Sequence, residues 1–143
     1  MDIFTLFSLI SAAAAGSSLG SHLLVSLLHS ALFKQRKNFI NSLYIYRRLY
    51  RLNSALCLIA GICAALVNNR PAALLLAILA ASYVFNHAHL LKGLIKTCDE
   101  NYQIVNLTQF QALSRLQNLI HLLQVLAVLY AVYLLALHYQ PAI

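Results

Sequence analysis

Four stretches of this chain are almost purely apolar, residues 3–33, 44–67, 72–94 and 110–137, and its polar residues gather mainly between them. About 30 Å of hydrocarbon needs about 20 residues at about 1.5 Å rise each, so each stretch is long enough to be a membrane-spanning helix. Backbone groups in hydrocarbon must bond within their own segment. The expected architecture is therefore an all-α, up-down four-helix bundle, a single transmembrane domain over residues 1–143. The first stretch begins MDIFTLF and stays apolar past Ala13–Ala15, which predicts an uncleaved span rather than a signal peptide. Its small residues (Ala12 to Gly16, Ser17, Ser18, Gly20, Ser21) predict a helix packed centrally by close approach.

The breaks between stretches carry direction. Lys34, Arg36, Lys37, Arg47, Arg48 and Arg51 put six positive charges and no negative one around the first connection. An excess of Lys and Arg marks the cytoplasmic side, so this connection is expected there and the N-terminus outside. Asn68-Asn69-Arg70-Pro71 reads as a tight external turn with proline opening the third helix. The third helix ends among Lys92, Lys96, Asp99 and Glu100 in a second cytoplasmic loop. The fourth starts near Thr108 as N-cap, so both termini are expected outside a cell inner membrane.

Composition agrees: 62% of residues are hydrophobic and 9% charged, with mean hydropathy +0.76, against roughly 25% charged in a soluble domain. The net charge of +7 flanks apolar runs instead of forming a solvated stripe. It therefore points to the anionic lipid of the inner leaflet rather than to nucleic acid. Tyr44, Tyr46 and Tyr50 beside the arginines read as rings of the headgroup layer. Cys57, Cys63 and Cys98 form no CxxC pair and read as small packing residues.

Candidate chemistry lies in the few polar residues within the spans, because these are costly in lipid and face the bundle interior. Counting turns from the basic end puts His22 and His121 about 13 Å deep, and Asn53, Asn86 and Asn118 about 9 to 10 Å deep. His87 and His89 are shallower, and His29 lies near the interface. His22 and His29 are seven apart, Asn86 lies between Ser82 and His89, and Ser114, Asn118 and His121 step by four then three. Each set therefore shares a helix face. His87 and His89 are two apart and cannot line one site. No Asp or Glu lies in any span, which excludes carboxylate acid–base chemistry there.

Two readings of this layer stand side by side. In one, Asn, Gln, Ser and neutral His hydrogen-bond across helices and lock the bundle. In the other, His22 with His121, or His29 with His89, ligates a metal or the iron of haem b, with Asn53, Asn86 and Asn118 behind the ligands. Arg47 and Arg51, four apart, serve either as topology signals or as a clamp for propionates or phosphates. A non-catalytic subunit or small carrier remains the alternative to a cofactor protein, and a homo-oligomer or larger membrane complex is compatible with both.

Arg47-Arg-Leu-Tyr-Arg51 resembles the ERRLYR entrance of HemJ-type protoporphyrinogen oxidases, haem-associated proteins related to the CopD-like four-helix group. His29 stands before the arginine pair at about the family's interval, and Tyr83 with Leu90-Leu91-Lys92 is similar to the family's end of helix three. The resemblance implies a membrane four-helix fold, a haem or porphyrin site and an oxidoreductase activity. Ser8 stands near where the family has its early histidine. Ser114-Arg115 occupies the place of its Asn-Glu-x-Pro opening of helix four.

Overall fold

The computed structural model describes residues 2–32, 38–98 and 103–138, and their side chains outside 25–43. Lys34, Arg36 and Lys37 lie outside these residues, as does the tail after His138. Four helical spans follow in order: α1 (Ile3–Leu32), α2 (Asn38–Leu66), α3 (Arg70–Lys96) and α4 (Leu107–His138). Helix α3 is α-helical over Arg70–Phe85, widens to a π-helical turn at Asn86–Leu90 and resumes at Leu91–Lys96. Ile3–Leu24, Tyr44–Leu66, Arg70–Lys96 and Leu107–His138 are each long and apolar enough to cross a membrane. The chain is thus an all-α four-helix bundle of the multi-pass membrane class. Helix α2 packs most extensively, against α1 and α3, and α4 closes the bundle on the other side of both.

Lipid tails are as apolar as leucine, so small residues that let backbones approach do much of the packing. Helix α2 shows this as a stripe at three- and four-residue steps: Tyr46, Tyr50, Asn53, Cys57, Ala60, Ala64 and Val67 are all buried. Facing it, α1 buries Ser11, Ala14, Ala15, Ser18 and His22, and the Ser11 hydroxyl donates to the Ala60 carbonyl at 2.8 Å. The small residues of α1 divide between faces, since Ala12, Ala13, Gly16, Ser17 and Gly20 are exposed. Only half of that stretch is packing surface. Tyr46 and Tyr50 correct the headgroup-layer expectation: they continue the small-residue stripe inward, and Tyr44 alone of the three is exposed.

The helix ends are closed by short polar side chains. Asn68 ends α2 in the left-handed region at φ 64°, and the Asn69 side chain accepts from the Ala72 N–H at 3.3 Å to cap α3. The Asn69 amide also donates to the Leu134 carbonyl at 3.2 Å, and His138 Nε2 donates to the Val67 carbonyl at 3.0 Å. These two bonds tie the turn to the end of α4. Asn106, not Thr108, caps α4, accepting from the Gln109 N–H at 3.1 Å while Gln109 Oε1 accepts from its amide at 3.3 Å. At the other terminus Asp2 accepts from the Thr5 N–H at 2.7 Å, and bonds from Thr5 hold its carboxyl below the usual value.

Candidate functional site: a buried histidine–tyrosine layer and a basic groove

His22 stands on the inward stripe of α1 and is fully buried. Its Nδ1 lies 3.2 Å from Nδ1 of His121 on α4, so the two histidines matched by depth in the sequence do meet across the bundle. Its Nε2 is bonded by the Tyr83 hydroxyl of α3 and lies 3.3 Å from the amide nitrogen of Asn53 on α2. All four helices thus converge on one imidazole. A neutral imidazole has one N–H and one acceptor nitrogen. Since Nε2 faces the NH₂ of Asn53, it is the acceptor, and the proton sits on Nδ1 and is donated to His121. The oxygen of the same amide, Asn53 Oδ1, lies 2.7 Å from the Ser21 hydroxyl, which is equally close to the Ser18 carbonyl.

Around this centre the rings follow one another in a row, stacked at His22–Tyr83 and Tyr83–Tyr50 and tilted at His22–His121 and Tyr50–Tyr46. Centroids are 4.7 Å apart for His22 and His121, 5.2 Å for His22 and Tyr83, 6.5 Å for Tyr83 and Tyr50, and 5.9 Å for Tyr50 and Tyr46. The Tyr50 oxygen accepts from Gln117 Nε2 at 2.9 Å. A second polar group joins α3 to α4: Asn86 Nδ2 donates to Gln124 Oε1 at 3.3 Å, and Gln124 Nε2 donates to the Ser82 hydroxyl. Asn86 Oδ1 is buried with no partner among the described residues.

Several expected site residues sit elsewhere. Asn53 joins the His22 level instead of forming a layer below it, and Asn86 pairs with Gln124. Asn118 is exposed. The inward stripe of α4 is Gln117, Gln124, Val128, Ala131 and Leu135, with His121 half-buried on it. Positions 117 and 118 both lie about a turn before 121, so spacing alone could not choose between them, and the longer Gln117 side chain reaches Tyr50. His89 is exposed, with its ring 5.0 Å from that of Phe85. The π-helical turn adds a residue between it and Ser82, which removes it from the face that periodicity assigned. The side chain of His29 lies outside the described residues, so the His29–His89 pairing is not described. The buried pair Tyr50 and Tyr83 was missed, although stepping back by four and three from Cys57 through Asn53 reaches Tyr50.

Arg47 and Arg51 are exposed at the basic end of α2. Arg51 Nε donates to His87 Nε2 at 3.2 Å, joining α2 to α3. Together they stand at one end of a groove of about 250 Å³ between the two helices, with Tyr50 and Tyr83 on its floor and Leu58 and Val84 on its walls.

Iron held between two imidazoles needs about 4 Å between the ligating nitrogens, from two bonds near 2 Å. The 3.2 Å between His22 and His121 admits no such ion, and the second nitrogen of His22 is engaged by Tyr83 and Asn53. Among the described residues no three His, Cys, Asp or Glu side chains gather as a metal site. The residues present do not fit a haem iron between this pair. No family model, no curated protein and no solved structure matches the chain.

Proposed function

We propose that this chain is a non-catalytic membrane protein, a subunit or small carrier, whose histidine–tyrosine layer fixes the mutual placement of its four helices. The observation that carries this reading is the saturation of His22: each ring nitrogen is bonded within the bundle, to His121 on one side and to Tyr83 and Asn53 on the other. A cofactor ligand needs a nitrogen open to the ligand, and neither nitrogen of His22 is open. In hydrocarbon, interhelical bonds of this kind contribute about 0.6 to 2 kcal/mol each, so the layer stabilises one packing.

The test is an absorption spectrum of the purified protein, oxidised and reduced, for the native chain and for His22→Gln and His121→Gln. The expected result is no Soret band in any of the three, with both variants folded and somewhat less stable, because Gln keeps a hydrogen bond across the bundle. A Soret band that disappears on either substitution would replace this reading with a haem protein of the kind the Arg47–Arg51 resemblance implies.

A further inference from the structure

We propose that the groove between α2 and α3 binds one anionic phospholipid, its phosphate on the Nη groups of Arg51 and an acyl chain along Ala55, Leu58 and Val84. The site lies on the outer side of Tyr50 and Tyr83 and does not depend on what the buried layer does.

The groove is polar at one end and apolar along its length, in the same sense as a lipid. Arg51 and His87 stand at the basic end of the bundle. Going away from them, Ser54, Ala55 and Leu58 follow one to two turns along α2, and Val84 lies a turn along the antiparallel α3. The bond from Arg51 Nε to His87 fixes the guanidinium plane, leaving its Nη pair, a fork that fits two phosphate oxygens, with no acceptor among the described residues. Arg47, one turn before Arg51 on α2, and Lys92, five residues after His87 on α3, add positive charge at the same end of the bundle. Residues 3–98 contain no Asp or Glu, so nothing on α1, α2 or α3 neutralises this cluster. The phosphate of an anionic lipid complements it. Leu58 and Val84 are about half exposed (50% and 56%), leaving the walls open to a chain entering sideways from the bilayer. A volume of about 250 Å³ is below the roughly 300–1,000 Å³ of enclosed ligand pockets, so the furrow holds the phosphate and the first part of one chain while the rest of the lipid stays in the bilayer.

The experiment is native mass spectrometry of the full chain in detergent, titrated separately with phosphatidylglycerol, phosphatidylcholine and inorganic phosphate. One phosphatidylglycerol per chain should remain bound where phosphatidylcholine and inorganic phosphate are lost. Arg51→Gln should weaken it by about tenfold, the size expected for losing a charged hydrogen-bond pair, and Arg51→Lys by less. Ala55→Phe, which fills the furrow and leaves every charge in place, should displace it. Arg48→Gln, at a neighbouring exposed cation, should leave binding unchanged. Equal retention of the two lipids, an equal effect of Arg48→Gln and Arg51→Gln, or undiminished binding in Ala55→Phe would each overturn the proposal. So would binding of inorganic phosphate with the same Arg51 dependence. If Arg51→Gln does not fold, Ala55→Phe and Arg51→Lys decide the question by the same readings.

Discussion

His22 Nε2 receives two donors, the Tyr83 hydroxyl and the Asn53 amide, and this double occupancy makes a prediction about energies. Removing either donor leaves the other, so Tyr83→Phe is expected to lower stability by about 1 kcal/mol, the net worth of one such bond. Asn53→Ala should cost more, since it also frees the Ser21 contact. Removing both strands a buried acceptor, so the double variant should lose about 0.5 to 2 kcal/mol more than the sum. Unfolding of the four proteins of this cycle in one detergent measures the difference. Additivity within about 0.3 kcal/mol would mean that the two groups do not share His22. At this scale the sequence revealed the histidines better than the tyrosines. Counting turns locates His22 and His121 at one depth because helix rise is constant. Tyr50 and Tyr83 near the ends of apolar runs look the same whether their hydroxyls reach inward to a partner or outward to a headgroup. Only the neighbouring helix decides that.

Hydropathy was enough to read four helices long and apolar enough to cross a membrane, because the membrane requirement on length and polarity acts on the whole segment. The details that went wrong are those in which one residue shifts a face. The π-helical turn at Asn86–Leu90 carries no hydropathy signal, yet it turns His89 away from the face of Ser82. The cap of α4 was legible in Asn106-Leu-Thr-Gln109, where an N-cap side chain and a Gln three residues later bond reciprocally, but Thr108 stands closer to the apolar run. Gly61 tests the packing of α2 on α3. A Cβ there would lie 3.4 Å from Leu76 Cβ and 3.5 Å from the Ala73 carbonyl, ordinary contact with nothing to spare. Gly61→Ala is therefore expected to be neutral or stabilising by up to about 1 kcal/mol, since alanine is the better helix former. Gly61→Leu has to part the helices and should lose about 1 to 3 kcal/mol. Thermal unfolding of both variants reads this, and a stable leucine variant would show that the helices do not approach so closely.

At the scale of the whole molecule, charge sets the orientation while the bundle sets the packing, and the two can be separated. Six basic residues lie between Lys34 and Arg51, whereas the short turn at the opposite end of α2 has Arg70 alone. The positive-inside rule then predicts the N-terminus, the Asn68–Pro71 turn and the C-terminus outside, and it counts lysine and arginine alike. Replacing Arg47, Arg48 and Arg51 together by lysine should leave insertion and orientation unchanged. Replacing the same three by glutamine halves the basic charge of that connection and should produce a mixed population. Reporter fusions after His138 measure both, with periplasmic activity expected for the native chain and the triple lysine variant. The lysine variant also separates orientation from recognition, because an ammonium keeps the charge but cannot present two parallel N–H groups to one phosphate. It should insert normally and hold phosphatidylglycerol less firmly than the native chain. A cytoplasmic signal from the native C-terminus would overturn the topology. Native-strength lipid binding in a correctly inserted lysine variant would show that the arginines act at the membrane surface only through their charge.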